Sequence, residues 1–182
     1  QLLSSDWPRL ESPSSAIACL DRMYEAQVGM LGDCNRPFKG ETSWIIPQHA
    51  PNESWYMHSG NPIVIQDGAS GDLVESFNKY GNPGWGLPHE SGHNMHLDAC
   101  GFLFGADAVE PCANIWTVRT FQLMGWDMQA NGHPKYAAEG LAYHAQAQPQ
   151  YQQLRDSAWI FLGLLDLIWQ TYGWEGMERL LA

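Results

Sequence analysis

Positive charge is what this chain has least of. Nine Lys and Arg stand against twenty Asp and Glu, a formal net charge of −11 over 182 residues. Nucleic acid and anionic membrane both want a basic face, so neither is expected as the main partner. Long apolar runs are also missing, since nothing approaches the roughly 20 residues needed to span a bilayer. The most apolar stretch, Ala158 to Leu165, is soon interrupted by Asp166 and reads as a buried helix. No CxxC spacing occurs among the four cysteines, which argues against a cysteine-rich structural zinc site. Nor is there a nucleophilic Ser or Cys arrangement, a Gly-rich phosphate loop, an internal repeat or a low-complexity segment. The Gly-x-Gly at Gly84 to Gly86 is only a helix entry.

What is present suits a packed protein. Hydrophobic residues make up 45%, with nine Trp, seven Tyr and six Phe, enough for a core and some binding surface. The length fits one domain over 1–182, or part of a larger one. Gln1 opens no secretory signal, so the chain is either cytosolic or already trimmed. The cysteines favour the second option. Cys19 with Cys34 and Cys100 with Cys112 form two sequence-local pairs that would staple helix ends to loops. Asn52-Glu53-Ser54 is an acceptor sequon pointing the same way. An extracellular or cell-surface location is therefore expected.

Along the chain, Ser14 or Ser15 can cap a helix whose apolar positions from Ile17 to Leu31 keep helical spacing, with Gly32 ending it. Candidate strands follow at Trp44-Ile45-Ile46, Trp55-Tyr56-Met57 and Ile63-Val64-Ile65. Gly71 to Tyr80 reads as a short helix, and a turn at Gly81 to Gly84 leads into another from Gly86 to about Leu97. Further helices are expected from Val109 to Met124, Lys135 to Gln146 and Leu154 to Tyr172, with a last short one from Glu175. The fold class is α+β, mostly helical, with a small strand-rich region before the Gly86 helix.

That helix carries His89-Glu90-Ser91-Gly92-His93, an HExxH motif. Positions four apart share a helix face, so His89 and His93 can offer imidazole nitrogens to one ion. Glu90 sits one residue round, close enough to reach a water on that ion without ligating it. Two neutral ligands, a Lewis acid and a general base are the minimum kit of a zinc hydrolase. A third protein ligand is needed. Among the downstream carboxylates Asp98, Asp107, Glu110, Asp127 and Glu139, Asp98 is too close and turned away. Glu110 begins a new helix after a loop and can return beside the first; its other reading is an acid favouring a helix N-terminus. Asn114 shares its face and is placed to orient His89 or His93. His96 reads as pocket wall or surface.

Several of these segments resemble one family. Tyr56-Met57-His58-Ser59-Gly60-Asn61-Pro62-Ile63 and Gly84-Trp85-Gly86-Leu87-Pro88-His89-Glu90-Ser91-Gly92-His93-Asn94 look like the enhancin and mucin-degrading group of gluzincin zinc peptidases. Glu110 and Asn114 fit that family's E-x-x-x-N segment, and Ile168 to Glu175 resembles its closing helix pair. The likeness runs from about residue 20 to the end. It implies a gluzincin-like catalytic domain in a secreted or surface zinc endopeptidase. The implied substrates are glycoproteins, often mucins, often with an O-glycan required beside the cleaved bond. Some members that have lost the motif act as non-enzymatic partners of membrane proteins. Two departures stand out. Ser91 replaces an apolar residue, and the chain is short, as a trimmed or compact version of the catalytic domain would be.

The resulting mechanism has His89, His93 and Glu110 holding Zn²⁺, while Glu90 takes a proton from the attacking water and hands it to the leaving amine. One further donor is needed for the oxyanion, and Tyr56, His58, Tyr136, Tyr143 and His144 are the candidates. The Gly60 to Ile63 segment is expected to offer an edge strand to a peptide. Trp85 reads as a sugar platform or as core, and Asn94 and Asp98 as partners of sugar hydroxyls or as the finish of the helix. The rival to a peptidase is a glycoprotein-binding module of the same fold. Glu90 separates the two, because a binding module has no use for a base beside the ligands.

Overall fold

The computed structural model describes residues 7–32, 45–48, 56–104, 109–133 and 136–181; the side chains of 7, 45–48, 67–68, 96–104, 136–137, 178 and 180–181 lie outside that description. After a single 3₁₀ turn at Trp7–Arg9, helix α1 runs Pro13–Gly29. It starts earlier than Ser14 or Ser15 because Pro13, with its fixed φ and no N–H to satisfy, is suited to the first helical position. Strands β1 (Ile45–Gln48), β2 (Met57–His58) and β3 (Ile63–Gln66) form one sheet in the order β1-β3-β2. β3 pairs parallel to β1 and antiparallel to β2. Its alternation follows from strand geometry: Ile63 and Ile65 are each 1% exposed, whereas Val64 and Gln66 are half-buried. Each buried isoleucine contributes roughly 1.5–3 kcal/mol. Trp44 and Trp55, read as strand residues, lie outside the described residues.

Helix α2 (Asp67–Tyr80) leaves β3 directly, one turn earlier than the expected Gly71. The motif helix α3 begins at Gly86 as expected but continues to Phe104 rather than Leu97. No proline interrupts that stretch, and a single Gly101 costs a helix only about 1 kcal/mol. α4 spans Val109–Met124, the same bounds the sequence predicts. Then come α5 (Met128–Asn131), α6 (Tyr136–His144), α7 (Tyr151–Asp156) and α8 (Ala158–Leu181). The single helix expected over Leu154 to Tyr172 is two, split at Ser157, whose hydroxyl accepts from the Ile160 N–H at 3.3 Å. In turn α8 absorbs the short helix expected from Glu175, with a kink at Gly173 (φ 72°, ψ 177°).

The motif helix is held on several sides. Leu87 in its first turn enters the apolar cluster built by α1, α2 and the sheet, while Met95 packs with Met30, Leu31 and Trp116. A third cluster joins α4 to α8 through Ile115, Val118, Leu162 and Leu165. α1 adds a polar tie. Gln27, fully buried, donates from Nε2 to the Pro88 carbonyl at 2.9 Å and to Thr120 Oγ1 at 3.1 Å, so one amide fixes α1, α3 and α4. Among the described residues no helix is long and apolar enough to cross a membrane.

The cysteine pairing needs correction at one end. Cys19 is a buried free thiol, which rules out the Cys19–Cys34 bridge, and burial raises its pKa. It belongs to the core cluster instead. Cys112 is disulfide-bonded. Cys34, the Asn52 sequon and the side chain of Cys100 lie outside the description.

Candidate metal centre

The site grows from one helix crossing. On α3, Gly92 lies between the two histidines in space as in sequence, and it presses against α4. A Cβ there would stand 3.0 Å from the Ala113 carbonyl and 3.1 Å from Trp116 Cβ. Only a residue without a side chain lets the two backbones approach this closely. The approach brings the first turn of α4 alongside the exit of α3's imidazoles. His89 Nε2 is 3.1 Å from Glu110 Oε2, His93 Nε2 is 3.4 Å from Glu110 Oε1, and the two Nε2 atoms are 3.1 Å apart. All three donor atoms lie within 4.8 Å of one another.

This donor set fits zinc. Two imidazole nitrogens and a carboxylate are the borderline ligands a catalytic zinc takes, and three protein ligands leave a position open. The geometry agrees: the rings stand edge to face at 83° with both Nε2 atoms turned to one point. The His89 and His93 imidazoles also hold the Glu110 carboxyl far below the usual carboxylate range, against the opposing effect of burial. It is therefore an anion at any physiological pH.

Around this trio lies a cleft of about 660 Å³, and Glu90 lines it beside the ligands. Tyr56, His58, Trp85 and Asn114 line it too. Asn114 is buried on the Glu110 face of α4, as expected, but it does not bond either histidine. Its Oδ1 and the Nδ1 atoms of His89 and His93 are buried without a protein partner among the described residues. Tyr56 donates its hydroxyl to Asp72 at 2.9 Å; partial burial and that carboxylate both raise the phenol's pKa, so it stays protonated.

Other expectations are overturned. Tyr143 and His144 do not reach the cleft: they sit on α6, where Tyr143 is buried with its hydroxyl on the Gln150 carbonyl at 3.3 Å and His144 is exposed. β3, from Ile63, is no edge for a peptide, because β1 and β2 flank it on both sides. The outermost strand at the cleft is β2, whose Met57 and His58 line it. Asn94 is fully buried and donates to the Gly60 carbonyl at 2.9 Å, so it does not meet sugar hydroxyls. The side chains of Tyr136, His96 and Asp98 lie outside the description.

Among the residues that the structure adds to the cleft wall are His133 and Trp159. The His133 ring packs edge-on against Trp85 at 4.9 Å and at a tilt of 47° against Trp159 at 4.9 Å. Burial, and then the nearby His89, lower its pKa. Neither residue carried a sequence signal, since one follows a short helix in a loop and the other reads as core. A second cavity of about 450 Å³ continues from the cleft past Tyr56, Trp85 and His133 towards Asp72 and Asn131.

Comparison with known proteins gives this centre its context. TRPM8 channel-associated factor 2 of Mus musculus is 25% identical over 177 residues, covering 95% of this chain and 18% of that protein. Its counterpart in Bos taurus is 24% identical over 181 residues, 98% of this chain and 19% of that protein. TRPM8 channel-associated factor 3 of Mus musculus is 23% identical over 180 residues. The chain thus spans about a fifth of the length of the curated relatives it matches. No solved structure matches it. The family model described as Peptidase M60, enhancin and enhancin-like, covers residues 12–182. A match that takes in all of α3, α4 and the cleft between them places the chain in the enhancin-like peptidase family.

Proposed function

We propose that this chain is a single gluzincin-like catalytic domain, a zinc-dependent endopeptidase acting on glycoproteins of the mucin type. The observation that carries the reading is the convergence of His89, His93 and Glu110 within 4.8 Å on a cleft wall that also bears Glu90. Bound there, zinc would supply Lewis acidity to the scissile carbonyl and to a water molecule. Glu90 takes the proton from the attacking water on a carboxylate oxygen and passes it to the amine as the C–N bond breaks. Tyr56 and His58 remain candidates for the further oxyanion donor, and His133 joins them. The Tyr56 hydroxyl is already engaged as a hydrogen-bond donor to Asp72, which favours the two imidazoles.

An O-glycan beside the scissile bond finds support in the second cavity. Trp85 offers an aromatic face there, with Asp72 and Asn131 as hydrogen-bond acceptors near it. The disulfide at Cys112 accords with an extracellular or cell-surface location. A second reading, a binding module of the same fold, is favoured by the relatives, which are named as factors associated with a channel. Glu90 weighs against it.

The test is zinc content and cleavage of an O-glycosylated mucin peptide, for the unaltered chain beside Glu90→Ala. Zinc in both, with cleavage slowed by about 10²–10⁴-fold in the variant, is the expected outcome. Zinc in both without cleavage in either would favour the binding module. No zinc in either would end both the metal and the peptidase reading.

A further inference from the structure

Asn94 directly follows the second histidine of the motif, yet nothing in the proposed chemistry uses it. It is fully buried, and its Nδ2 donates to the Gly60 carbonyl at 2.9 Å, across 34 residues of sequence. Gly60 belongs to the turn that leaves β2, and β2 with Ser59 lines the same cleft as His89, His93 and Glu110. A second attachment lies two turns earlier on α3. At Gly86 a Cβ would stand 3.0 Å from Met57 Sδ, so the start of β2 rests on the helix entry.

These two points define a geometry. From Gly86 to Asn94 the helix rises about 12 Å. From Met57 to Gly60 an extended chain covers about 10 Å. The β2 segment therefore runs alongside α3 in the same direction, pinned at both ends, with His89, Glu90 and His93 between the pins. The first pin is an apolar contact, which tolerates sliding. The second is a directional hydrogen bond from a fully buried amide, and a buried donor left without its acceptor is costly.

We infer that Asn94 is a positioning residue that sets the spacing between the ligand-bearing helix and the β2 wall, and so the place where a bound peptide meets Glu90. The inference rests on the peptidase reading for its functional half and on the Asn94–Gly60 bond alone for its structural half. Asn94 touches neither ion nor substrate. Its removal should leave zinc in place and let the β2 wall drift.

Asn94→Ala tests this in the zinc-loaded chain, with Asn94→Ser, too short to reach Gly60, as the milder change should the first not fold. Three quantities are read: zinc stoichiometry, steady-state cleavage of an O-glycosylated mucin peptide, and amide hydrogen exchange. The expected result is unchanged zinc, a KM raised roughly tenfold with a smaller loss in kcat, and faster exchange over residues 57–63 while 86–95 stays protected. Loss of zinc would overturn the inference by showing that Asn94 acts through the ligands. Unchanged exchange at 57–63 would overturn it as well. Should the unaltered chain cleave nothing, the peptidase reading fails, and the exchange data still decide whether Asn94 holds the wall.

Discussion

Between α3 and α4 the backbones come close at Gly92, where a Cβ would lie 3.0 Å from the Ala113 carbonyl; between α6 and α8 they do so at Gly140, where one would lie 2.5 Å from Gly163 Cα. Both pairs use the same device, a glycine that lets two helix backbones touch. Their flanks differ. Beside Gly92 stand His89 and His93, and the facing helix brings Glu110 to them within 3.4 Å. Beside Gly140 stand Tyr143, turned inward to the Gln150 carbonyl, and His144, turned out. Close packing alone thus makes a core. It makes a site only when the residues one turn away carry donors that converge.

The sharpest way to break this comparison is to exchange acid for alanine in each pair. Glu110→Ala should weaken zinc binding by more than about 100-fold, since a ligand matters more than an outer-shell partner. Glu139→Ala, on the first turn of α6, should leave it unchanged. A competition titration against a chromophoric chelator reads both, and equal affinities would remove Glu110 from the centre.

The glycines come next. Gly92→Ala and Gly140→Ala should each lower Tm, with overpacking costs of about 1–3 kcal/mol and the larger drop for Gly140, where the facing backbone lies 2.5 Å away against 3.0 Å at Gly92. Only Gly92→Ala should also weaken zinc binding, because it moves Glu110 away from the histidines. Thermal unfolding with a zinc titration on the same samples separates the two effects.

The smallest effect concerns pH. In the fold, His133 has a pKa below the ordinary imidazole value of about 6.5, so the unfolded chain binds more protons near that pH. Its contribution is therefore fully present above about pH 6.5 and is lost as pH falls below it. Replacing it by His133→Gln should flatten that part of the metal-free chain's Tm-against-pH curve relative to the unaltered chain. Curves of the same shape for the two would show that His133 titrates as in the unfolded chain.

Much of this site was legible because its pattern is local. The HExxH spacing is a property of one helix, and α4 announced itself by Glu110 and Pro111 in its first turn. What the sequence could not convey was distance between segments. Tyr143 and His144 looked suitable for a donor because they follow the third ligand, but α6 docks on α8 through Gly140 and Gly163, which turns them from the cleft. His133 was passed over for the converse reason. It sits in a loop without periodicity, and only its packing against Trp85 and Trp159 brings it to the ligands. The edge strand expected at Gly60 to Ile63 failed similarly: Ile63 opens the β-prone Ile63-Val64-Ile65 run, and such a run goes to the centre of a sheet, leaving the two-residue β2 outside.

The amide of Gln27 has a consequence for the order of events. It joins α1 to the Pro88 carbonyl and to Thr120, partners 61 and 93 residues away. Contacts this distant in sequence must bear a loop-closure entropy before they repay it, and they form slowly. During synthesis His89 and His93 emerge before Thr120 does. An ion bound at this centre would therefore meet two imidazoles early, but a centre locked to α1 and α4 only after some two-thirds of these residues have left the ribosome. Zinc uptake would then be a closing step of folding, a seal on an assembled fold more than the seed of one.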